Sequence, residues 1–156
     1  MRAIAGTLVI LALAGGLFQS GVAGSEAPGP PAPKPATPYQ RLGGYDSLAV
    51  LTDDFIGRLA RDPALSHFFA ASTGEAKDRF RQLLLDQLCA SSGGPCLYVG
   101  RDMRTAHRGL GIREADWAAT VGHLIASLDK LKVAQKEKDE VLAIAAGLKK
   151  DIVERP

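Results

Sequence analysis

The sequence predicts an all-helical domain, and three observations carry that expectation. Downstream of Tyr39 the apolar residues recur at three- and four-residue spacing. Clusters of glycine and proline cut this pattern into helix-length pieces. No run alternates apolar and polar residues as a half-buried strand would, and no internal repeat is visible. A chain of 156 residues with a net charge of +2 is expected to form one globular domain. Its charge is too balanced to point to nucleic acid or an anionic surface as a partner.

The N-terminus reads differently. Met1 and Arg2 precede the apolar run "AIAGTLVILALAGGLF", and "QSGVAGS" follows with small and polar residues. This is the order of a secretory signal, placed at residues 1–24. An uncleaved anchor is the competing reading, although Gly15, Gly16, Gln19 and Ser20 interrupt the roughly 20 apolar residues that a membrane span needs. Export to the periplasm or cell envelope is the expectation. No later apolar stretch is long enough to cross a bilayer, so the mature domain is expected to have no membrane span. Residues 25–38, "SEAPGPPAPKPATP", alternate proline with small residues and read as a semi-rigid linker. The domain is expected over 39–154.

Within it, "YDSLAVLTDDFIGRLARD" places Leu48, Leu51, Phe55 and Leu59 on one stripe with Ile56 beside it, and "RDP" ends the helix. "ALSHFF" is a short helix or turn presenting Phe68 and Phe69. "EAKDRFRQLLLDQLCASSGGP" is a long helix with Phe80, Leu84 and Leu88 four apart and Leu83 adjoining, stopped by Gly93, Gly94 and Pro95. After the loop "CLYVGRD", the segment "MRTAH" allows only one or two turns. From "READW" a helix carries Trp117, Val121, Leu124, Ile125 and Leu128 on one face. The last, "QKEKDEVLAIAAGLKKDIVE", is expected to bury Val141, Leu142, Ala145, Leu148 and Ile152.

Cys89 and Cys96 are the only cysteines, separated by the turn signal "ASSGGP". Export would expose them to oxidation, and the turn could bring them together. Two buried thiols satisfy the same sequence, because free cysteine packs as a small hydrophobe.

Most enzyme templates are missing: there is no G-x-S-x-G, Walker loop, C-x-x-C or H-E-x-x-H. What remains is His107, one turn after Met103. A histidine on a short segment can aim one ring nitrogen inward while the other donates to a backbone carbonyl, as a haem axial ligand does. Gly109 and Gly111 are expected to let the chain leave without crowding the ring. A capping or surface histidine is the plain alternative.

The ordered set "RLGGYDSL", "DDF", "FF", "LLLDQLCASSGGP", "YVGRDMRTAH" and "GLGI", between Tyr39 and Glu154, resembles the group I truncated haemoglobins. The resemblance implies a truncated-globin two-over-two helical sandwich around haem b (iron protoporphyrin IX), with His107 as the proximal iron ligand. It makes Phe69 the aromatic residue on the haem face and places Leu88, Tyr98, Met103, Ile112, Trp117, Val121 and Leu124 in the pocket lining. Plain core packing is the alternative for each apolar residue. The implied partners are a diatomic gas (dioxygen, carbon monoxide or nitric oxide) and an unidentified reductase, in a protein of oxygen-binding or transport type.

One departure matters. Many relatives carry a tyrosine on the second helix and glutamines on the next, whose hydrogens hold dioxygen on the iron. The matching positions here are Ile56, Phe80 and Leu84, all apolar. Losing a charge-assisted bond of about 1.5–3 kcal/mol predicts roughly ten- to hundredfold weaker oxygen retention. Carbon monoxide and nitric oxide depend less on such donors. Gln87, one turn beyond Leu84, is expected on the helix flank, with an inward swing as the alternative. His67 and His123 are expected at the surface or in helix packing, away from any metal. Nitric oxide dioxygenase or weak peroxidase chemistry would benefit from polar distal groups and ranks lower. A gas or redox sensor switched by Cys89 and Cys96 is a third reading.

Overall fold

The computed structural model describes residues 34–70 and 72–155. The expected signal at 1–24 and the first part of the linker, 25–33, lie outside the described residues. Six α-helices follow in chain order: α1 (Pro38–Arg41), α2 (Gly44–Arg61), α3 (Gly74–Ser91), α4 (Met103–His107), α5 (Glu114–Lys130) and α6 (Gln135–Ile152), with a 3-10 turn at Ser66–Phe68 between α2 and α3. The described residues hold no strand, only an isolated bridge between Arg113 and Arg155. No described helix is long and apolar enough to cross a membrane.

Local chemistry sets the ends of these helices. The Thr37 hydroxyl accepts from the Gln40 amide and the Gln40 side chain accepts from the Thr37 amide, with Pro38 in the first turn. The first helix therefore begins a residue before the boundary expected at Tyr39. Pro63 holds Asp62 extended and ends α2. Thr73 caps α3 through the Ala76 amide, and Asp102 caps α4 through that of Thr105. The carboxylate of buried Asp116 accepts the Arg113 amide at 2.9 Å and fixes the entry to α5. That bond, before any other influence, holds the Asp116 carboxyl below its ordinary range.

Helix α2 packs against both α3 and α5, and α5 packs on α6, so two helix pairs stack as a sandwich; α4 lies against α6. The core sits between the layers. It consists of Leu48, Leu51, Phe55 and Leu59 from α2, Leu65, Leu85 and Cys89 from α3 and its approach, Leu124 and Leu128 from α5, and Val141 from α6. The α2 stripe is buried as its spacing predicts.

Three expected faces are corrected. On α3 the buried residues are Leu85 and Cys89, whereas Phe80 is exposed and Leu83, Leu84 and Leu88 are half-buried. The 80/84/88 row is one turn-to-turn stripe, but the helix turns the neighbouring 85/89 row to the core. Ile125 is likewise exposed, because Leu124 and Leu128 take the α5 face toward α2 and α6. On α6 only Val141 is buried, and Leu142, Ala145, Leu148 and Ile152 are half-buried because that face also borders the solvent side of the sandwich.

Cys89 and Cys96 form a disulfide across the turn that ends α3, with Cα atoms 5.7 Å apart. Of the two readings left open by the sequence, the structure takes the bridged one.

Candidate functional site

His107 closes α4. Its Nδ1 lies 2.7 Å from the Met103 carbonyl oxygen. A carbonyl can only accept, so Nδ1 carries the hydrogen, and in the neutral ring Nε2 keeps its lone pair. No described protein group is bonded to Nε2. The imidazole is half-buried, with its free nitrogen available to an electron-pair acceptor.

The other two histidines are differently engaged. The His123 Nε2 pairs with Asp62 at 2.6 Å, and this bond leads the influences that hold the Asp62 carboxyl below its ordinary range. His67 lies at the surface with its ring 3.9 Å from that of Phe68. A surface cleft of about 430 Å³ is lined by Asp54, Arg58, Arg61, Asp62, Pro63, His123 and Lys130, and none of the expected haem-site residues borders it.

The apolar residues expected around a haem share an unusual degree of exposure. Ile56, Phe69, Leu84, Leu88, Tyr98, Met103, Ile112, Trp117 and Val121 are half-buried, Phe80 is 36% exposed, and only Leu124 is buried. Side chains of this size normally lose most of their surface in a core. The Phe69 and Phe80 rings stand 5.7 Å apart and tilted, bringing the turn after α2 to the face of α3. A free imidazole nitrogen and a set of incompletely covered apolar side chains are the donor and the surface that an iron porphyrin requires. The residues present fit the group.

The positions that the resemblance implies are distal offer no hydrogen. Ile56, Phe80 and Leu84 have none to give, and the Gln87 amide is occupied along its own helix, donating to the Ser91 hydroxyl at 2.9 Å. The Tyr98 hydroxyl donates to the Arg101 carbonyl at 2.6 Å, and burial pushes its pKa up. It therefore braces the loop leading to α4.

The reason for the glycines after His107 differs from the expected one. A Cβ on Gly109 would meet nothing within 4 Å, so crowding is not at issue. Gly109 and Gly111 have φ of 82° and 69°, the left-handed region that other residues enter only with strain. Their amides donate to the two oxygens of Glu154, each at 2.6 Å. On the other side of α4, Arg104 pairs with Asp151 at 2.6 Å. Periodicity did not reveal these carboxylates, Asp151 in the last turn of α6 and Glu154 just beyond it. The only sequence signal was an acidic pair one turn apart at the end of the last helix.

The sequence matches the family model described as bacterial-like globin over residues 37–154. The chain belongs to the bacterial-like globin family. Among relatives, it is 33% identical to group 1 truncated hemoglobin GlbN of Mycolicibacterium paratuberculosis over 119 residues, covering 76% of this chain and 85% of that one. The same identity holds to group 1 truncated hemoglobin GlbN of Synechocystis, covering 72% and 91%. The fold matches the crystal structure of truncated hemoglobin from Tetrahymena pyriformis in its Fe(III) form with a TM-score of 0.71 and 26% identity, over 76% of this chain and 98% of that one. A 2/2 hemoglobin from Synechococcus, crystallised with covalently attached heme, matches with a TM-score of 0.70 and 26% identity, over 76% and 98%. This chain is thus a group 1 truncated haemoglobin in fold and family, and its functional class is haem-based gas binding.

Proposed function

We propose that this truncated globin holds haem b through His107 and reversibly binds diatomic gases in an apolar distal pocket, releasing dioxygen quickly. The single observation that carries this reading is the Nδ1–H···O=C bond from His107 to Met103, which leaves Nε2 of the neutral ring unprotonated, with its lone pair free to ligate. Haem, when bound, supplies the iron at which gas binds. Phe69, Trp117 and Val121 would cover the porphyrin with apolar surface and exclude water from it. Ile56, Phe80 and Leu84 would surround the gas without donating a hydrogen to it. The family of this chain and the named relatives support the cofactor.

Stopped-flow mixing of the reconstituted oxygenated protein with carbon monoxide tests this reading through the rate of oxygen loss. Fast loss is expected, unchanged in Gln87→Leu. Slow loss that accelerates in Gln87→Leu would contradict the apolar pocket. Sustained consumption of nitric oxide by the oxygenated protein with a reductant would instead favour a dioxygenase. Oxygen transport and export to the periplasm or envelope belong to the same proposal; N-terminal sequencing of the secreted product tests cleavage near residue 24.

A further inference from the structure

We propose that Glu154 is a positioning residue for His107, its carboxylate holding the loop that sets the height and tilt of the imidazole. The proposal rests on His107 as the axial ligand. A five-residue helix such as α4 is too short to hold itself together. Its geometry must be imposed from outside, and the structure shows where.

On the N-terminal side Asp102 caps the helix and Asp151 pairs with Arg104. On the C-terminal side the chain folds back at once, Leu110 donating to the His107 carbonyl at 3.1 Å. The positive φ of the two glycines aims the amides of Gly109 and Gly111 at one carboxylate, one oxygen each. Neither amide has another acceptor among the described residues. The Glu154 and Arg155 amides then donate to the Ile112 carbonyl at 2.9 and 3.2 Å, and the Glu114 amide donates to the Arg155 carbonyl at 3.2 Å. The chain just beyond α6 is thereby joined to the whole segment between His107 and α5.

A carboxylate that accepts two amides fixes orientation as well as distance. Glu154 is exposed, so its side chain has little packing to lose, and its hydrogen bonds all go to the loop after His107. Loosening them releases the C-terminal side of α4 while the backbone bonds of residues 154 and 155 remain. The ring, not the fold, is what Glu154 constrains.

The test uses the full chain reconstituted with haem, as wild type, Glu154→Gln and Glu154→Ala. The iron–histidine stretch of the ferrous protein is read by resonance Raman scattering, and amide exchange at Gly109 and Gly111 is read in the haem-free protein. Glutamine keeps one acceptor oxygen and alanine none. The band is expected to shift and broaden progressively from wild type through glutamine to alanine, with exchange rising roughly tenfold or more in alanine and far-UV helicity unchanged. A band at the wild-type position in Glu154→Ala, or unchanged exchange, would overturn the proposal. Should the alanine protein fail to fold, the glutamine protein carries the comparison. A band missing already from wild type would sink the axial reading and this proposal together, whereas a band present in wild type and indifferent to Glu154 sinks this proposal alone.

Discussion

The Nδ1 of His107 donates to the carbonyl of Met103, one helical turn earlier, at 2.7 Å. The acceptor is backbone, so the bond survives any side-chain change at position 103. It commits the neutral ring to the Nδ1–H form in the haem-free protein. Two-bond nitrogen–proton correlation spectra should show Nε2 as the unprotonated nitrogen. Protonation at Nε2 in the neutral ring would contradict this assignment.

The apolar residues at the expected distal positions make a gain-of-function prediction. Leu84→Gln puts an amide donor on the half-buried face of α3. A charge-assisted hydrogen bond of about 1.5–3 kcal/mol should slow oxygen dissociation roughly ten- to hundredfold. Carbon monoxide dissociation should change far less. An unchanged oxygen rate would mean that position 84 does not face the gas.

Asp54 joins α2 to α5. It accepts from Arg58 within its own helix, and from Lys130 and buried Ser127 across the layers. These partners, Lys130 first, hold its carboxyl far below the ordinary range. The folded-state pKa is depressed, so the stabilisation is complete above the unfolded value of about 3.9. It is lost as pH falls through the folded value, because the unfolded chain takes up the proton first. Asp54→Ala should cost about 1–3 kcal/mol at neutral pH. It should also flatten the fall of stability below about pH 4. Urea denaturation at pH 7 and pH 3 measures both, and an equal loss at the two pH values would argue against the ionic contribution.

The disulfide closes a short loop, the cysteines being 7 residues apart in sequence. Chain-entropy arguments give about 2–3 kcal/mol for a ring of this size. Denaturation midpoints of oxidised and reduced protein should differ accordingly. Coincident curves would show that the packing of buried Cys89 and its neighbours carries the turn without the bond.

Periodicity identified the helices because each buries an apolar row, and on α2 that row is the core row. On α3 two apolar rows run side by side, Phe80/Leu84/Leu88 and Leu85/Cys89. Spacing shows that each row shares a face, but only the packing against α2 decides which face is inside. The disulfide was undecided for a similar reason: the turn at Gly93 and Gly94 that brings the sulfurs together is a tertiary outcome. His107 stood out through its short helix and flanking glycines, together with the family resemblance. Glu154 and Asp151 did not, because their partners lie 43 to 47 residues away in the chain.

The absorption spectrum of the protein supplied with haem, reduced and then exposed to carbon monoxide, tests the central claim most directly when run beside His107→Ala. The account predicts a five-coordinate ferrous spectrum that shifts sharply with carbon monoxide, and is lost or altered in the variant. A protein that takes up no haem, or a spectrum identical in His107→Ala, would contradict it.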